Sequence, residues 1–169
     1  MISRLEAGYS AEASVRIDLA AVVHDVVELY EPAAEEVGVT IEAPDAGGSF
    51  FIDGNRELIA QALSNIVDNA IKYSSSSSQA PAVKVSIIEK DGETSVRVAD
   101  NGPGIPDQSD RERATERFVR LEQSRSQPGS GLGLSLAKAV MKFHGGRLEL
   151  LPGEPGLTVM MTFPKRRSE

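Results

Sequence analysis

The sequence predicts a single α+β domain, with a mixed sheet packed against helices. Three observations lead there. Three long segments carry apolar residues at helical spacing, short alternating segments with turn residues lie between them, and their order never settles into regular strand–helix repeats. With 169 residues, one domain can bury roughly two-thirds of the surface that its unfolded chain exposes.

The elements follow in order. "VRIDL" from Val15 reads as a short strand, and Asp18 stands where it can cap the next helix. In that helix Leu19, Val22, Val23, Val26, Leu29, Tyr30, Ala33 and Val37 recur at helical spacing, and Gly38 ends it. "VTIEA" alternates like a strand, "PDAGG" turns, and "SFFID" is another short strand. A second helix runs from about Asn55 to Tyr73, and the serines 74–78 read as a loop. "AVKVSIIEKDGETSVRVAD" predicts a hairpin with Asp91-Gly92 as its two-residue turn. Some thirty charged residues after "NGPGIP" lack strand periodicity and read as a long functional loop. Leu134, Ala137, Val140 and Met141 then restore helical spacing before Gly145-Gly146, and "RLELLPGEPGLTVMMTFP" closes with a hairpin.

Composition removes several function classes. The net charge is −7 without a basic stripe, which argues against a nucleic-acid surface; Lys165, Arg166 and Arg167 read as a solvated polar tail, 165–169. Cysteine is absent, which excludes disulfides and thiolate chemistry and fits a reducing compartment. No apolar run approaches the ~18 residues of a membrane span, and no signal peptide opens the chain. The expectation is a soluble, intracellular-type domain, monomeric as a fragment and without membrane contact of its own.

Two kinds of motif carry chemistry. On the second helix Asn65, Asn69 and Lys72 gather within roughly 60° of one another, nearly opposite a stripe of Ile59, Leu63, Ile66, Val67 and Ala70. Amide oxygens suit a hard cation such as Mg²⁺, and a lysine beside them suits phosphate; alone, the face reads as solvated. The glycine loops change the balance. "ADNGPGIP" sets Asp100 at a strand end beside Gly102 and Gly104, where a carboxylate can accept from an exocyclic amine. "PGSGLGLSLAKAV" brings Gly129, Gly131 and Gly133 into a helix start, which exposes N–H groups to an anion. It matches neither a Walker A loop nor a dinucleotide fingerprint.

Together these motifs resemble the sensor histidine kinases. Asn65-x-x-x-Asn69-Ala-x-Lys72-Tyr73 is similar to their N box, "DNGPGIP" to the G1 box, "ERFVR" to the F box and "GSGLGLSLAKAV" to the G2 box. The resemblance covers residues 15–164 and implies the catalytic and ATP-binding domain: a two-layer α/β sandwich, the Bergerat fold, with about five strands on about three helices. "ISRLEAG" resembles the end of the preceding dimerisation helix, so residues 1–14 would be its remnant and linker.

Residue by residue, the resemblance implies that Asn69 coordinates Mg²⁺, with Asn65 beside it on metal or phosphate. Lys72 would contact phosphate and Tyr73 would flank the nucleotide. Asp100 would bond the adenine amino group, with Gly102, Gly104 and Ile105 forming that pocket. Residues 107–130 would be the mobile ATP lid, with Arg120 and Arg125 as phosphate contacts and Phe118 as its anchor. Gly129, Ser130, Gly131 and Gly133 would lie against the triphosphate, and Leu132 and Leu134 would secure the lid. One departure stands out: family lids usually read "IFERF", whereas Ala114 and Thr115 give "ATERF", which removes an apolar anchor.

ATPases of this fold usually carry a glutamate one turn before the metal-binding asparagine. Asn65 holds that place, and an amide cannot take a proton near neutral pH. The resemblance therefore implies γ-phosphoryl transfer from Mg-ATP to a histidine on a separate dimerisation domain, with a response regulator downstream. His24 lacks the continuation of a phosphoacceptor box and reads as a surface residue; His144 reads as a helix cap. A cytoplasmic location follows, with an inner-membrane sensor as one form of parent. A stand-alone ATPase or serine-kinase regulator of the same fold, and a non-catalytic nucleotide-binding module, stay open as alternatives.

Overall fold

The computed structural model describes residues 15–43, 50–75, 80–104, 108–113, 133–153 and 156–164. Its elements are β1 (Val15–Asp18), α1 (Leu19–Glu36), β2 (Thr40–Glu42), β3 (Phe51–Gly54), α2 (Arg56–Ser75), β4 (Ala82–Lys90), β5 (Glu93–Asp100), α3 (Gln108–Arg113), α4 (Gly133–Phe143), β6 (Arg147–Pro152) and β7 (Leu157–Phe163). The readings of residues 1–14 and 165–169 lie outside the described residues.

Five strands form one sheet in the order β2-β4-β5-β7-β6, with β2 parallel to β4 and the other pairs antiparallel. Directly opposed residues share a face, so two apolar rows cross the sheet. One is Val85, Val98, Val159 and Leu150; the other is Ile87, Val96, Met161 and Leu148. Helices α1, α2 and α4 pack with these rows into a single core. β1 and β3 form a separate two-stranded antiparallel ribbon, joined to the core through Ile17 and Ile52.

Local chemistry fixes the joints. Asp18 Oδ1 accepts the Ala20 N–H at 3.1 Å and so caps α1, as the sequence predicts, while also accepting the Phe50 N–H at 3.2 Å. Such a cap contributes about 1 kcal/mol. At the other end Gly38 takes φ +76°, and the Val39 N–H reaches the Ala34 carbonyl at 2.8 Å. That six-to-one bond, with Ala34 and Val39 both buried, is a Schellman ending. Asp91 and Gly92 both have positive φ, as a two-residue hairpin turn requires, and Lys90 pairs with Glu93 across it.

Three sequence expectations are corrected. Leu29, Ala33 and Val37 face solvent, because from its middle onward α1 buries the neighbouring row of Val26, Val27 and Ala34. Both rows have helical spacing, and only packing decides between them. α2 continues to Ser75, since Ser74 Oγ and Ser75 Oγ donate back to the Ile71 and Lys72 carbonyls, at 3.2 and 2.9 Å. Those hydroxyls satisfy carbonyls that a helix end leaves open. The long loop contains α3, a six-residue helix of wholly polar sequence that gives hydrophobic periodicity nothing to detect.

His144 ties two helices together. Nε2 accepts the Asn55 N–H at 3.0 Å and Nδ1 lies 2.7 Å from the Val140 carbonyl, so the proton sits on Nδ1. It does cap α4, but as a neutral ring, because burial pushes its pKa below the ordinary value. Above about pH 6.5 the imidazole is neutral in folded and unfolded chains alike, and its contribution to stability is complete. As pH falls through that value the unfolded chain takes up a proton first, so stability is lost until the lower folded pKa is passed. Urea melts from pH 8 to 5 should show this loss in the natural protein and a flatter profile in His144→Gln; parallel profiles would refute it.

Candidate functional site

α2 lies within the helix layer, packed on both α1 and α4. Asn55 starts it: its Oδ1 accepts the Leu58 N–H at 3.1 Å. Beyond the first turn the only exposed residue of this helix is Gln61, so Asn65, Asn69, Lys72 and Tyr73 are half-buried. They flank the buried stripe of Ala62, Ile66 and Ala70 and do not lie opposite it, which corrects the helical-wheel expectation. No hydrogen bond to the Asn65 or Asn69 side-chain amide is recorded among the described residues.

α4 explains why this stretch is open. The His144–Asn55 bond joins the end of α4 to the start of α2, so the two helices run antiparallel. Eleven residues make α4 about 16 Å long, a little over half the residues of α2. Gly133 begins it, and the N-terminal N–H groups give that end partial positive charge.

Lys72 is already engaged, because its Nζ lies 2.8 Å from Asp68 Oδ2, one turn earlier on the same helix. Asp68 and Ser64 in turn face Tyr30 of α1; burial raises the Tyr30 pKa first, and the Asp68 charge adds to it.

Asp100 closes the other side. It ends β5 on the core face and is 6% exposed. Gly102 and Leu157 N–H groups both donate to its Oδ1, at 2.9 and 3.3 Å. Burial raises its pKa and these two bonds oppose the rise. The recorded bonds leave Oδ2 as the acceptor for a ligand. Asn101 locks the strand beside it: Oδ1 accepts the Ala82 N–H at 2.9 Å and Nδ2 donates to the Ala80 carbonyl at 2.8 Å.

The glycines act against the protein's own backbone. A Cβ on Gly102 would sit 2.7 Å from the Tyr73 carbonyl oxygen, so its absence lets the Asp100 loop touch the end of α2. A Cβ on Gly104, where φ is +71°, would sit 2.4 Å from the Gly156 carbonyl oxygen. The sequence suggests close approach to a flat ring; the approach visible here is backbone to backbone.

The structure thus brings Asp100, Gly102 and Gly104 to the Tyr73 end of α2, the helix that also carries Asn65, Asn69 and Lys72. Ile105, Phe118, Arg120, Arg125, Gly129, Ser130, Gly131 and Leu132 lie outside the described residues, as does the 107–130 lid apart from α3. Sequence reasoning passes over Asp68, Asn101 and Leu157. Of these only Asp68 left a readable signal, an acid four residues before a lysine on one helix.

The residues present fit a magnesium–nucleotide. Among the described residues no three His, Cys, Asp or Glu side chains cluster as a metal cage. Mg²⁺ bound by few protein oxygens and completed by phosphate needs no such cage, and Asn65 and Asn69 offer the oxygens.

Comparisons with known proteins bear on the family and the fold. The family model described as histidine kinase-, DNA gyrase B- and HSP90-like ATPase matches residues 54–167. The chain is 31% identical over 170 residues to the sensor-like histidine kinase SenX3 of Mycolicibacterium smegmatis, covering 97% of this chain and 42% of that protein. The chain therefore spans less than half the length of that relative. Among solved structures, a mycobacterial sensor histidine kinase, MprB, superposes with a TM-score of 0.74 at 28% identity, covering 91% of this chain and 99% of that one. Full-length ShkA in complex with AMPPNP superposes with a TM-score of 0.75 at 27% identity, covering 96% of this chain and 33% of that one.

Proposed function

The chain belongs to the histidine kinase-, DNA gyrase B- and HSP90-like ATPase family, and from that premise we propose that it binds Mg-ATP and passes the γ-phosphoryl group to a histidine on a separate dimerisation domain. The parent would be a two-component sensor kinase with a response regulator downstream, and residues 1–14 the end of its dimerisation helix. The observation that supports this reading is the pair of half-buried amides, Asn65 and Asn69, with no hydrogen bond among the described residues, on the helix whose end meets the Asp100 loop.

Each group has a task under this reading. Asp100 accepts the exocyclic amine of adenine through Oδ2. Asn69, with Asn65, supplies amide oxygens to Mg²⁺, and Lys72 exchanges Asp68 for phosphate. The α4 N–H groups receive the anion. When bound, the magnesium–nucleotide supplies the phosphoryl group and offsets its charge. Asn65 offers no base to activate water. The acceptor is a nitrogen of the partner's imidazole: the N–P bond forms as the bond from the γ-phosphorus to the β–γ bridging oxygen breaks, leaving ADP. His24, exposed on α1 beside Glu28 at 3.2 Å, lacks the sequence continuation of a phosphoacceptor box. Among the described residues no helix is long and apolar enough to cross a membrane.

Incubating the chain with Mg-ATP and a separate dimerisation-domain fragment should give acid-labile phosphohistidine on the fragment and none on this chain. Stoichiometric labelling of this chain alone would overturn the reading.

A further inference from the structure

The last hairpin does more than complete the sheet. Gly156, with φ +101°, lies hard against Asp100: a Cβ there would fall 1.9 Å from the Asp100 carbonyl oxygen and 2.9 Å from its Oδ1. The next residue, Leu157, directs its N–H to that same Oδ1 at 3.3 Å. The Gly156 carbonyl in turn accepts the Gly153 N–H at 2.8 Å, closing the hairpin, and leaves no room for a side chain on Gly104. The β6–β7 turn therefore abuts both the main chain and the carboxylate of Asp100.

We propose that Gly156 and the Leu157 N–H, packed behind Asp100 on its Oδ1, position its carboxylate so that the site selects adenine over guanine. This rests on the nucleotide-binding reading above. A carboxylate only accepts hydrogen bonds; at position 6 adenine presents an amine donor and guanine an oxo acceptor. Discrimination then depends on Asp100 being ionised and on Oδ2, not Oδ1, meeting the base. Two N–H donors on Oδ1 secure both conditions. They stabilise the charge that burial opposes, and they occupy the oxygen that faces the hairpin. Gly156 acts through Asp100 and is a positioning residue.

The test compares ATP and GTP affinity, with Mg²⁺, in three forms of the chain. The natural chain should prefer ATP by at least roughly tenfold. Gly156→Ala pushes a methyl into Asp100 and should erase most of that preference. Replacing Leu157 by its α-hydroxy acid turns one amide into an ester, removing the N–H without adding bulk. It should likewise cut the preference by about tenfold, as expected for a lost bond to a charged group. It should also move upward the pH below which ATP binding fails, because Asp100 loses a bond that favours its ionised form. If Gly156→Ala does not fold, the ester decides. An ester variant with unchanged preference and pH profile overturns the proposal. A natural chain that binds neither nucleotide instead overturns the underlying reading.

Discussion

Asn69→Ala lowers phosphotransfer to the partner histidine by about two to three orders of magnitude, because a charge-stabilising group is lost where charge develops. The side chain is half-buried and has no hydrogen bond among the described residues, so its removal strands no polar group among them. Alanine also suits a helix interior better than asparagine, so α2 should be as stable or slightly more so. The loss should therefore appear in the rate and in the magnesium requirement, with the melting temperature unchanged. ATP binding without magnesium should change little, since Asp100 is untouched. Phosphotransfer within tenfold of the natural protein would remove Asn69 from the metal site.

Phe163→Ala should destabilise the fold by about 3–5 kcal/mol, the range for deleting a large buried aromatic side chain. Phe163 is 1% exposed at the end of β7 and meets the His144 ring edge to face, with centroids 6.1 Å apart and planes at 84°. Emptying that space removes apolar contact from the centre of the core and one wall of the imidazole pocket. Water reaching His144 would weaken the desolvation that lowers its pKa, so the variant should also show a shallower loss of stability on acidification. Denaturant melts at pH 8 and pH 5.5 measure both effects. A cost below about 1 kcal/mol would show that the core refills the space.

The fold was legible where one physical signal dominates. Asp18 before an apolar run, Gly38 after one, and Asp91-Gly92 between alternating arms each state a joint that short-range chemistry alone determines. The signal failed where two answers have the same period. Leu29, Ala33 and Val37 are as helical in spacing as the residues that pack, and only the arrangement of α1 against its neighbours selects the buried row. At the site, spacing placed Asn65, Asn69 and Lys72 on one face. What spacing could not supply was the partner of each group. The Asp68 pairing of Lys72 is local and could have been read. The Leu157 bond to Asp100 joins positions 57 apart and exists only once β5 and β7 are paired.

The antiparallel pairing of α2 and α4 has a consequence for how such a site changes over time. α2 has 20 residues and α4 has 11, with their ends pinned at Asn55 and His144. Under the proposed reading, the part of α2 that meets the ligand lies beyond the reach of α4 among the described residues. Depth is then a matter of length: each turn added to the start of α4 would shade about 5 Å more of α2, and each turn lost would bare as much. Insertion or deletion before Gly133 could retune the cleft without altering a single residue that touches the ligand.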